Sequence, residues 1–115
     1  MRRRTAAAGV LVSLVLLLSQ PGTAAAATGD FSYGFIGLDG RPQRATVHDP
    51  ASRACVTLPE AADPDSSAPA FAPHNETDSL ALVYTNPDCT GEVWALRPHG
   101  ERATDRLKLR SVLFS

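Results

Sequence analysis

The chain of 115 residues has few of the marks that identify an enzyme. It contains no G-x-S-x-G elbow, no H-E-x-x-H pair, no phosphate-binding glycine loop and no dinucleotide fingerprint. Nothing in it therefore points to a hydrolase elbow, a zinc peptidase or a nucleotide-dependent enzyme. Its three histidines, His48, His74 and His99, lack metal-ligand spacing. They read as surface residues, and no metal or cofactor is expected. His48 precedes Asp49, but a Ser-His-Asp arrangement is defined by geometry, and with several serines available the adjacency carries no signal. Aromatic residues are only 6% of the chain, so the single tryptophan, Trp94, belongs by default to a core. Stacking on a carbohydrate or peptide is the alternative for it. No apolar run reaches the roughly 20 residues of a membrane-spanning helix.

What is present begins at the N-terminus. Arg2, Arg3 and Arg4 form a positive head, and Leu11 to Leu18 form a short apolar stretch. Pro21 and Gly22 then break the helix, and Ala24 to Ala27 offer small residues for cleavage. This is the layout of a secretory signal peptide over residues 1–27, leaving one domain over 28–115. The expected location is extracellular, with no membrane association after cleavage. Ala27 to Asp30, just before Phe31, read as a frayed new terminus.

A domain this small is marginal without a covalent or metal staple. Cys55 and Cys89 are the only cysteines, and both lie in the exported part. In an oxidising compartment they are expected to pair, which removes about 3 to 4 kcal/mol of unfolded-state freedom. Loss of the three leader arginines leaves eight bases against twelve acids, a net charge of −4. That balance argues against a nucleic-acid partner. The acids crowd between Pro59 and Gly91, where there is no lysine or arginine, and five bases crowd between Arg97 and Arg110. The two regions are expected to neutralise each other across the fold, with a basic patch for an anionic partner as the alternative.

The apolar pattern has period two, which favours strands. Phe31, Tyr33 and Phe35 share one face. Further strands fit Ala45 to His48, Ala54 to Leu58, Leu80 to Tyr84, Val93 to Leu96 and Leu107 to Leu113. In the third of these, Tyr84 is assigned to the core face. Four prolines between Pro59 and Asn75 exclude a helix there and predict a long surface loop, pinned by Phe71. No internal repeat is evident. The prediction is an all-β fold, a small antiparallel Greek-key sandwich or barrel with one disulfide.

Asn75-Glu76-Thr77 is an N-glycosylation sequon, idle in a bacterium, which the alanine- and arginine-rich, lysine-poor composition suggests. Asn75 reads as a turn residue. Tyr84-x4-Cys89-x-Gly91 is the strongest constellation: the tyrosine ends a strand, Asn86-Pro87-Asp88 bend the chain, and Gly91 permits positive φ at the fold-back. This spacing resembles the Greek-key motif of the βγ-crystallin superfamily, with Cys89 in place of its second aromatic. The resemblance spans Asn75 to Ser115. With the D-C-x-G turn and the Ser111-Val112-Leu113-Phe114 ending, the chain is also similar to small exported proteins of actinomycete type, among them crystallin-like peptidase inhibitors and killer-toxin-like proteins. The resemblance implies a Greek-key fold. It also raises calcium binding at Asn75 to Ser79, which only half matches the run of the family.

The functional expectation is a non-enzymatic, inhibitor-like binding module that presents the 59–75 loop. Phe71 would be its apolar anchor, Glu60, Asp63 and Asp65 its charged rim, and Trp94 a further contact. The partner expected is an extracellular protein or a cell-envelope component. A toxin using the basic Lys108 and Arg110, or an envelope-associated structural protein, are the other readings.

Overall fold

The computed structural model describes residues 25–115. The export-signal reading lies outside the described residues except at Ala25–Ala27. From there the chain forms eight strands: β1 (Gly29–Ile36), β2 (Pro42–His48), β3 (Cys55–Thr57), β4 (Ala70–Thr77), β5 (Ala81–Asn86), β6 (Thr90–Leu96), β7 (Lys108–Leu109) and β8 (Ser111–Phe114). Two single-turn 3-10 segments, Pro59–Ala61 and Pro87–Cys89, interrupt them. The fold is all-β, with every strand pair antiparallel.

The strands form two four-stranded sheets, β2-β1-β4-β7 and β3-β8-β5-β6. The order contains a doubling. In the first half of the chain the second, first and fourth strands lie side by side, and the third joins the other sheet. The second half repeats this path with β6-β5-β8, and sends β7 back to the first sheet. Each half thus completes the sheet of the other, a repeat of path without a repeat of sequence.

The core sits between the sheets. Phe31 and Tyr33 from β1 meet Phe114 from β8, with the Phe31 and Phe114 rings edge-to-face at 5.3 Å. Leu58, Leu109, Val83 and Val112 fill around them. The Phe31/Tyr33/Phe35 face is as the alternation predicts. In β5 the phase is the reverse of the expectation: Ala81 and Val83 are buried, while Leu82 and Tyr84 lie on the outer face. Both faces of LALVYT are apolar, so alternation alone does not fix which is inside. The aromatic rings of β1 and β8 fill the interior, and small residues suffice opposite them.

The stretch expected to be a loop to Asn75 becomes strand at Ala70. Pro73 is buried inside β4, a central strand, where proline ordinarily breaks the ladder. A bulge makes this possible. Ser32 pairs with His74 and Gly34 with Phe71, so Tyr33 faces two residues, Ala72 and Pro73. Ala72 takes φ +49°, and the missing N–H of Pro73 falls within the irregularity. Gly34 is required opposite: a Cβ there would collide with the Phe71 ring.

The expected fraying at the N-terminus is absent. The Ala27 amide donates to Pro50 O at 2.8 Å, Thr28 exchanges bonds with Asp78, and the Gly29 amide donates to the Asp49 carboxylate at 2.7 Å. Ala27 is itself part of the buried cluster.

Candidate functional site

The second hairpin builds the most distinctive surface. Its turn is fixed before β6 begins. Asp88 and Cys89 both take positive φ, and Gly91 follows at φ +89°. A side chain at Gly91 would run into Thr85 Oγ1 and the Asn86 amide, so only glycine fits. The Cys55–Cys89 disulfide fastens this turn to β3. Ser111 Oγ reinforces it, accepting the Cys89 N–H at 2.8 Å and donating to Asn86 O at 2.6 Å. The opposite end of β6 is held by Asn75, whose Nδ2 donates to the carbonyls of Ser79, Leu96 and Arg97.

Between these clamps β6 is exposed along nearly its whole length. Among the described residues it is an edge strand, paired with β5 alone. The Val83–Trp94 cross-strand pair places Trp94 on the inner side of its sheet. It is nevertheless 63% exposed. The reason lies in the facing layer. There β7 is two residues long, and before it runs irregular chain hung from β4 by the bonds Ala103 N–H to Pro73 O and Ala72 N–H to Leu107 O. The sandwich is left open along this edge.

Two hollows adjoin the indole. One of about 280 Å³ reaches Val83, Glu92 and Lys108, and one of about 350 Å³ reaches Ala103 and Thr104. Both are bounded by Trp94, Arg106 and Leu107. Each is near the lower limit, about 300 Å³, of sites that enclose a whole small ligand. Each suits one side chain or one ring.

The electrostatics are equally informative. Among the described residues the ion pairs within 4 Å all involve histidine: His48 with Asp30 at 2.6 Å and Asp49 at 3.3 Å, and His74 with Glu76 at 3.6 Å. No described lysine or arginine reaches a carboxylate at that distance, so the expected neutralisation of the acidic middle by the basic end does not take the form of ion pairs. Arg106 and Lys108 line the cleft without an ion pair within 4 Å among the described residues. Away from the cleft, Arg44 of β2 has its pKa lowered by burial and by the neighbouring charge of Arg102, with Asp105 opposing the shift.

The remaining shifted groups hold the fold. The Tyr33 phenol, displaced upward by burial and by its bond to Glu60 (2.6 Å), stays protonated. His48 is raised by its hydrogen bond to Asp30 and the charge of Asp49. Asp63 is lowered because its carboxylate accepts the Asp65 N–H and the Ser66 hydroxyl.

The residues expected to bind a partner are thus divided. Cys55 and Cys89 are joined. Phe71 lies in β4 across Gly34, with the Lys108 ammonium 5.2 Å from its ring centre. Glu60 is half-buried against Tyr33, and Asp63 closes its own turn, while Asp65 is exposed. Trp94 is the one large side chain of the set directed at solvent. The loop that connects to β4 is well anchored: the buried Arg110 guanidinium donates to Ala61 O at 3.0 Å and Ser67 O at 2.9 Å. Arg110 is therefore not part of a basic surface. In the acidic-amide run, Asn75 Oδ1 accepts from both the amide and hydroxyl of Thr77, so these oxygens close on each other. Arg106 and Thr104 were not singled out by sequence reasoning. The run of bases was visible, but which of them lacks a partner depends on the fold.

No protein-family model, no curated protein and no solved structure matches the chain.

Proposed function

We propose that this is an exported, non-enzymatic binding module of crystallin-like double Greek-key architecture, and that it engages its partner through the open edge at Trp94. The doubled strand path and the Tyr84-x4-Cys89-x-Gly91 hairpin support the architectural part. The disulfide supports an oxidising compartment. The observation that carries the functional part is Trp94 itself. A molecule with few aromatics leaves its only tryptophan exposed, on the core side of a sheet, against two hollows and beside two bases, Arg106 and Lys108, that make no ion pair within 4 Å among the described residues. Exposed aromatic anchors flanked by cations are the usual energetic centre of a recognition surface. Binding rather than catalysis is supported by the engagement of Tyr33, His48 and Asp63 in structural hydrogen bonds away from the cleft lining.

The test is affinity capture from culture supernatant and cell-wall extract, using the native protein and Trp94→Ala side by side. A component retained by the native protein and lost with the variant is the expected result. Identical recoveries with both proteins reject the Trp94 edge as the binding surface.

A further inference from the structure

The open edge offers more than an aromatic platform. A free sheet edge carries a row of backbone donors and acceptors, and native proteins ordinarily protect it with proline, lysine, a short length or a covering segment. β3 and β7 are protected by their brevity, three and two residues. β2 begins with Pro42, and its Arg44 guanidinium reaches over the sheet to Ala72 O at 3.0 Å and Ser32 Oγ at 3.1 Å. β6 has seven residues, Thr90-Gly91-Glu92-Val93-Trp94-Ala95-Leu96, with neither proline nor lysine and no described strand on its outer edge.

We infer that β6 accepts an added strand, an extended segment of a partner protein that alternates acidic and apolar side chains. This inference rests on the binding-module reading above and names its ligand. Four features select that chemistry. The unpaired edge of β6 can supply main-chain hydrogen bonds, which every extended peptide can satisfy. Both hollows are bounded by Trp94, which lies on the inner face of the sheet, and an added strand sends alternate side chains to that face, roughly 7 Å apart. Arg106 bounds both hollows and Lys108 one, with Glu92 the only carboxylate in either lining, so the inward side chains are acidic. The opposite side chains of the added strand meet Val93, which is 50% exposed on the outer face and paired there with Tyr84. That favours apolar residues at the intervening positions.

The probes are three fluorescein-labelled octapeptides and one polysaccharide. The first peptide alternates glutamate and valine, the second alternates lysine and valine, and the third is the glutamate peptide N-methylated at alternate residues. The polysaccharide is polygalacturonate, which is anionic but has no peptide backbone. The expected result is binding of the glutamate peptide that weakens with salt, with amide-exchange protection appearing in β6. Arg106→Ala and Trp94→Ala should each weaken it about tenfold. The N-methylated and lysine peptides should bind at least tenfold more weakly. Equal affinity for the N-methylated peptide overturns strand addition, as does failure of the glutamate peptide to bind at millimolar concentration. Polygalacturonate binding that depends on Trp94, without peptide binding, also overturns strand addition but leaves the binding-module reading intact. Trp94-independent capture in the preceding experiment removes that reading instead.

Discussion

β2 and β6 occupy the same place in the two halves of the molecule, and each has seven residues at the edge of a sheet. Their surroundings differ. The inward residues of β2, Ala45 and Val47, are half-buried against the core. Leu58 and Ala61 are packed into that same core, and Glu60 caps Tyr33. The corresponding inward residues of β6 are Leu96, which packs against the core as Val47 does, and Trp94, most of which solvent reaches. The larger Trp94 is thus less buried than Ala45 in the matching position. Exposure at a sheet edge is decided by the layer opposite, and β7 is too short to cover β6. One half of the repeat has been closed with a pinned loop, and the other has been left open.

The contrast can be broken most severely at the disulfide, because it holds the turn that launches β6 to the closed side of the molecule. Replacing both Cys55 and Cys89 with serine should cost about 3 to 4 kcal/mol in urea unfolding. A loss under about 1 kcal/mol would mean that Ser111, together with Thr57 Oγ1, which accepts the Asp88 N–H at 3.0 Å, suffices to hold the turn. Next is the closed edge itself. Arg110→Ala removes a buried donor from two loop carbonyls and should cost about 2 to 3 kcal/mol. It should also open the Ala62–Pro69 segment to limited proteolysis, whereas Arg106→Ala should leave both stability and cleavage pattern unchanged. A smaller effect tests the open edge. Trp94→Ala should change stability by less than about 1 kcal/mol, while Phe114→Ala, in the core, should cost about 3 to 5 kcal/mol. Similar losses for the two would show that Trp94 is covered in solution.

The smallest effect concerns the polar end of the closed edge, where His48 of β2 meets Asp30 and Asp49. The folded state raises the His48 pKa. Its contribution to stability is therefore complete below the ordinary value of about 6.5 and fades as pH rises through the higher folded-state value. Thermal unfolding of the native protein and His48→Asn should differ more at about pH 6 than at about pH 9. The opposite trend would show that the imidazole is held neutral.

Much of the fold was legible in the sequence, for identifiable reasons. The alternation of Phe31, Tyr33 and Phe35 marks a core strand because the intervening positions are small or polar. The two cysteines admit one intramolecular pairing. Gly91 after Tyr84-x4-Cys89 announces a fold-back that no other residue could make. β4 was hidden because Pro69 and Pro73 read as loop, and a bulge is a tertiary device that pairwise propensity does not register. The facing of β5 was hidden because both of its sides are apolar. Arg110 looked like a surface base in a basic run, yet its guanidinium is the buried fastener of a loop more than forty positions earlier. The open edge was the least legible feature. Trp94 is conspicuous, but its exposure follows from the brevity of β7, and strand length opposite a residue is written nowhere near it.

Asn75 carries a practical consequence. Its amide is enclosed, 1% exposed, and bridges the end of β4 to the carbonyls that close β6. The same residue heads an N-x-T sequon. In a yeast or mammalian expression host, an oligosaccharide transferred to it during translocation would occupy the place where that bridge must form. Modified chains would be shut out of the native state, so the host chosen to make the protein decides how much of it can fold.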